Sequence, residues 1–120
     1  MSIDWKSSPY FRREEFRRAP DMVDPELVRL LNQVRAQAKA PIIIHEAWAP
    51  DGHSPGSYHY SGRAADFHFA PGFLNYTDQF MLLSQYFHGL GFYSGWKPCP
   101  GWHADLRSSS AVWLRDADVY

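Results

Sequence analysis

Apolar and polar positions change period several times along this chain, and each change marks an element. Leu27, Leu30, Leu31 and Val34 recur at the spacing of one helical face. Asp24-Pro25-Glu26 stands before them: a side-chain cap, a proline for the first helical position and an acid at the positive end of the helix dipole. The pattern predicts a helix ended by Pro41, then a buried strand over Ile42-Ile43-Ile44. Residues 49–58 have no period and read as an irregular loop. From Ala64 the period becomes that of a strand. Ala64, Asp66, His68 and Ala70 share one face, while Ala65, Phe67 and Phe69 share the other, which reads as core. Phe80, Leu83, Phe87 and Leu90 form the inner stripe of a second helix over residues 77–88, with Gly89 and Gly91 as stops. Short strands are expected over residues 91–95, 102–107 and 112–115. In the second of these, Trp102, Ala104 and Leu106 alternate with His103, Asp105 and Arg107. Residues 11–18 read as a solvated helical turn in which Glu14 pairs with Arg17 and Arg18. The order of elements implies one α+β domain over residues 1–120, a small antiparallel sheet with helices packed on one face.

Chemistry concentrates at three of these positions. His59 and Asp66 are an odd number of residues apart, so on one straight strand they would face opposite ways. Ser61-Gly62 supplies a reversal between them, because glycine accepts a positive φ without steric cost. Asp66 and His103, on neighbouring strands, can then aim at the point His59 reaches. Two imidazoles and a carboxylate suit one Zn²⁺ and leave its fourth position open, as catalytic rather than structural sites do.

The stretch Ser57-x-His59-x-x-Gly62-Arg63-Ala64-x-Asp66-Phe67, followed by Trp102-His103-x-Asp105, resembles the zinc D,D-peptidase family. That family includes D-alanyl-D-alanine carboxypeptidases, vancomycin-resistance dipeptidases and phage endolysins that cut L-alanyl-D-glutamate bonds; the hedgehog signalling domain shares its fold. Tyr10-Phe11-x-x-x-Glu15-Phe16 and the helix-then-strand run into Ile42-Ile43-Ile44 are similar to its opening, so the resemblance covers roughly residues 10–107. It implies a hedgehog/D,D-peptidase-like fold, one zinc ion on His59, Asp66 and His103, and hydrolysis of a peptide bond in the stem peptides of bacterial peptidoglycan. The pattern is broken in two places. Pro100 and Gly101 stand where family members carry an acid or a histidine, and Glu46-Ala47-Trp48-Ala49 replaces a Ser-Gly-Tyr-Arg whose arginine reaches into the cleft. Two other readings follow from those gaps: a non-catalytic metal-binding module, or a phage structural component, on the same fold.

The proton acceptor such a hydrolase needs is therefore to be found elsewhere. Asp105 is the first candidate, as base or as the partner that orients His103, with Glu46 and His68 behind it. His45 and Glu46 either line the cleft or pair with each other at a strand end. His53 reads as a solvated loop residue, or as a substrate contact if its loop lies over the cleft, and His88 as a cation suited to a helix C-terminus. Arg63 and Arg107 are candidates for a substrate carboxylate, Ser57 for positioning the first ligand loop, and Tyr58 for a cleft wall. A net charge of −1 gives no field that favours nucleic acid or an anionic membrane. The single cysteine, Cys99, excludes an internal disulfide and a thiolate cluster. No apolar run approaches a membrane span, and Met1-Ser2-Ile3-Asp4-Trp5-Lys6 lacks the apolar core of a signal peptide. The expected location is the cytoplasm, with release to the cell wall if the chain is phage-encoded.

Overall fold

A computed structural model describes residues 3–116 and shows an α+β fold. Met1, Ser2 and residues 117–120, the ends of the domain expected from sequence, lie outside the described residues. Helix α1 spans Pro25–Ala38 and starts as its sequence dictates: the Asp24 carboxylate accepts from the Glu26 amide at 2.8 Å, and Pro25 takes the first position. Leu27, Leu31 and Val34 are fully buried. Five strands follow in the order β1 Ile42–Glu46, β2 Ala64–Phe69, β3 Gly89–Tyr93, β4 Gly101–Asp105 and β5 Ala111–Arg115. Helix α2, Tyr76–Leu83, lies between β2 and β3. Both helices bury their apolar residues in one cluster with Ala65, Phe67, Phe69, Leu90, Trp102 and Ala104, which defines the covered face of the sheet. Asp66 and His103 belong to the opposite face by strand alternation.

The strands lie in the order β1-β2-β4-β3-β5. The sheet is mixed, not wholly antiparallel as the sequence suggested: β5 pairs with β3 in parallel, and the other pairs are antiparallel. The reason is topological. Once β4 is seated between β2 and β3, only the outer edges of β1 and β3 remain. A chain reversing after β4 and passing over β3 must run parallel to it.

Three other elements differ from their sequence patterns. Helix α2 ends at Leu83, where Tyr86 and Phe87 both donate to the Leu83 carbonyl in a tight turn. Phe87 is buried in that turn and Leu90 in β3, so the apparent helical stripe spans three kinds of structure, and Gly89 and Gly91 are strand residues. His88 consequently sits beside β3, with Nδ1 3.2 Å from the Arg107 carbonyl, rather than at a helix end. Arg13–Phe16 is a single 3-10 turn with Phe16 in the core, too short to place Glu14 against Arg17 and Arg18. Arg17 donates instead to the Ile44 carbonyl, and Arg18 faces Glu46 at 3.6 Å. Strand β1 is an edge strand and only half buried.

Candidate metal centre

A 3-10 turn over Tyr58–Ser61 carries His59, and Ser57 caps it by accepting from the His59 amide at 3.2 Å. Gly62 closes the turn at φ 72°, and a Cβ there would lie 2.0 Å from the Met22 carbonyl oxygen. Both the backbone conformation and the close approach therefore require glycine. The reversal sets His59, 1% exposed, against strand β2. Its Nδ1 lies 2.6 Å from the Ala47 carbonyl, to which it donates, and its Nε2 faces Asp66 Oδ1 at 3.2 Å.

Asp66 on β2 and His103 on β4 are directly paired across the strands. His103 Nδ1 lies 3.0 Å from the same Asp66 Oδ1, while its Nε2 lies 2.7 Å from Asp105 Oδ2 and donates to it. Each imidazole thus spends one N–H on an outside acceptor and turns its other nitrogen toward one carboxylate oxygen. Facing lone pairs need positive charge between them, either protons or a cation. The two separations, 3.2 and 3.0 Å, bring each ring within hydrogen-bond reach of that one oxygen.

In the metal-free protein this charge is a proton. Burial disfavours it on His103, yet the hydrogen bonds and charges of Asp105 and Asp66 outweigh burial and raise the pKa to about 9. Burial likewise works against ionised Asp66, but His103 and His59 hold its pKa down to about 2. Asp105 is also buried, and Arg107 and His103 keep its carboxyl well below the usual range. Arg107 grips it with Nε and a terminal nitrogen at 2.8 and 2.7 Å, and the Arg107 amide adds a third bond at 3.1 Å. Every lone-pair direction of Asp105 is thereby engaged. It orients His103 and lies on the far side of that ring from Asp66.

A second pair adjoins the centre through a register shift. Strand β1 pairs Ile44 with Phe67 but Glu46 with Asp66, so His45 is an extra residue. Such a bulge re-aims the side chains after it. Without it Glu46 would oppose Ala65 on the core face. With it, Glu46 shares the face of Asp66, and its Oε1 lies 2.6 Å from His53 Nε2. The His53 ring stacks on His59 with centroids 4.0 Å apart and planes at 15°. Its side chain is 7% exposed, which corrects the solvated reading; the loop of residues 49–58 folds back onto the site instead of standing off it. One donor atom from each of Glu46, His53, His59 and Asp66 lies within 4.8 Å of the other three, so this cluster could hold a metal ion; it includes His59 and Asp66 of the three ligands expected from sequence, and His103 is not a member.

The centre forms the floor of a cleft of about 340 Å³. One wall is residues 53–58; the other is Tyr93, Arg107, Trp113 and Arg115 from the β3 and β5 side. Tyr58 lies in the cleft lining with two guanidinium groups against its ring, Arg63 at 5.5 Å and Arg107 at 5.2 Å from the ring centre. Arg63 donates to the Leu106 carbonyl and is not in that lining. His68 is paired with His45, Nδ1 to Nε2 at 2.6 Å, and neither lines the cleft. Burial lowers both their pKa values, which favours neutral rings, one donating to the other. Sequence reasoning offered His53 only as an alternative substrate contact and did not single out Tyr93, Trp113 and Arg115 as site residues. Strand alternation through Trp113 and Arg115 was available, but the parallel placement of β5 beside β3 was not.

No protein-family model matches this chain, and neither the curated proteins nor the solved structures contain a match to it.

Proposed function

We propose that the protein is a zinc-dependent metallopeptidase of the D,D-peptidase type, acting on the stem peptides of bacterial peptidoglycan. The observation that carries the proposal is the convergence of His59 Nε2 and His103 Nδ1 on Asp66 Oδ1, each ring oriented by an acceptor behind it. His59, Asp66 and His103 are the ligands in this reading. Glu46 and His53 fit less well as a second pair of ligands, because at 2.6 Å they are bonded to each other. A bound zinc ion would polarise a peptide carbonyl and lower the pKa of a water molecule. The chain's own groups do the rest. Asp105 and the Ala47 carbonyl hold the two imidazoles in the tautomers that leave the inner nitrogens free. The Glu46–His53 pair takes the proton of the attacking water, since Asp105 is saturated and Pro100 and Gly101 offer no acceptor side chain. The substrate class rests on the motif around His59, Asp66 and His103.

A digest of purified peptidoglycan by the zinc-loaded protein, with mass analysis of the fragments, tests this. New peptide termini are expected. Intact stem peptides, or new reducing sugar ends alone, would refute it. The absence of an acid or histidine at Pro100 and Gly101 favours one other reading, a metal-binding module without turnover; metal uptake with no cleavage would support that.

A further inference from the structure

We propose that the β5 end of the cleft is a carboxylate-binding subsite built by the Arg115 guanidinium and the Tyr93 hydroxyl. Cross-strand register places them side by side. Tyr93 on β3 pairs with Arg115 on β5, two residues along from the row that carries His103, Gly91 and Trp113. Both line the cleft whose floor is the candidate metal centre.

Charge decides what this end can hold. The acids in the cleft lining, Asp66 and Asp105, are each engaged: Asp66 by two imidazoles, Asp105 by Arg107 and His103. Arg115, an exposed residue, has no acidic partner among the described residues, and the hydrogen bond its guanidinium makes among them is a 3.4 Å contact to the Leu114 carbonyl. A divalent ion on the floor would add to the positive charge of Arg115. A guanidinium fork is matched in shape by a carboxylate.

Tyr93 supplies a second donor. Its side chain stacks on Trp96, centroids 4.4 Å apart, and the residue is 9% exposed. Its oxygen accepts from Trp113 Nε1 at 2.9 Å. The hydroxyl proton has no acceptor among the described residues, so it is free to be given to a ligand. The position also sets the ligand's length. Arg115 is two strands from His103 and two residues further along, about 12 Å between Cα atoms at about 4.8 Å per strand and 3.3 Å per residue. An arginine side chain reaching back covers roughly half of that. The carboxylate therefore sits within one or two peptide units of the floor, as the free carboxylate of a residue next to the bond would. The inference rests on the peptidase reading only for what the carboxylate is attached to.

The test is a binding measurement on the zinc-loaded protein, by nuclear magnetic resonance or tryptophan fluorescence, with N-acetyl-D-alanine and its primary amide as probes. The parent should bind the acid about tenfold or more tightly than the amide, the usual weight of a charge-assisted pair. Arg115→Gln should abolish that preference, and Tyr93→Phe should reduce it while keeping the stack on Trp96. Zinc content and thermal midpoint check that each variant is folded. Equal binding of the two probes by the parent would overturn the proposal. So would a preference retained in Arg115→Gln, which would place the carboxylate on the metal instead. Peptidoglycan cleavage is scored separately: a preference lost with Arg115 but no cleavage by the parent keeps the subsite and removes the peptidase reading.

Discussion

Replacing Asp105 by Asn isolates what the buried carboxylate does for the centre. The side chain is fully buried and accepts from His103 Nε2, from two guanidinium nitrogens and from the Arg107 amide. An amide can accept at one atom only. If its oxygen faces His103, its NH2 opposes the Arg107 fork; if it turns round, N–H meets N–H at His103. In the second case His103 changes tautomer, protonates Nδ1 toward Asp66, and withdraws the lone pair from the centre. Removing one partner of a buried ion pair costs about 3–5 kcal/mol. Arg107 keeps 26% of its side-chain surface exposed, so water recovers part of that, and a loss of about 2–3 kcal/mol is expected. Metal affinity should fall about 10- to 100-fold, as it does when the group behind a ligating imidazole is changed. Denaturant unfolding of the metal-free protein reads the first quantity, and competition with a chromogenic chelator the second. Zinc affinity within about threefold of the parent would refute the orienting role, whatever happened to stability.

Other expectations follow from the same geometry. In the metal-free protein His103 has a folded pKa of about 9, above its ordinary value of 6.5, so its contribution to stability is whole below about pH 6.5 and is lost as pH rises through about 9. If zinc binds His103 as proposed, it must displace that proton: affinity should rise about tenfold per pH unit between about 7 and 9, and calorimetry in buffers of different ionisation enthalpy should count about one proton released. A flat affinity over that range would contradict the assigned bridge. Glu46→Gln should keep zinc to within about threefold while peptide turnover falls about 100-fold, measured as fragments per unit of bound metal; undiminished turnover would dismiss the Glu46–His53 pair. Gly62→Ala should destabilise the fold by about 2 kcal/mol or more, because the new methyl meets a carbonyl and not a yielding side chain. An unchanged unfolding midpoint would show that the turn is not held as described.

What the sequence made legible is what short-range rules govern. The cap and proline at Asp24-Pro25, the alternation from Ala64 to Phe69 and the glycine reversal at Gly62 all appear where local preference places them. The opposition of Asp66 to His103 also follows from alternation on neighbouring strands. Three things did not follow. Helix α2 was overextended because Phe87 and Leu90 continue its spacing by coincidence, one from a turn and one from a strand. The parallel edge strand depended on which edge was free after β4 was seated. The approach of Glu46 depended on one unpaired residue at His45, which no residue type announces. His53 was misjudged for the same reason: a loop's composition records its polarity but not the surface it returns to.

The cleft face owes its depth to side chains that β3 does not have. A Cβ on Gly89 would lie 1.9 Å from Asp105 Oδ1, and one on Gly91 would lie 2.3 Å from Trp113 Nε1. The carboxylate and the indole rest where methyl groups would otherwise stand, as furniture fits an alcove. A recess formed by omission has little tolerance for addition: one carbon atom at either glycine would force the orienting acid or the aromatic wall upward, into the space a ligand must occupy. Chains that vary the depth of such a recess can do so from the floor of the sheet, one methyl at a time, without altering any residue of the candidate centre.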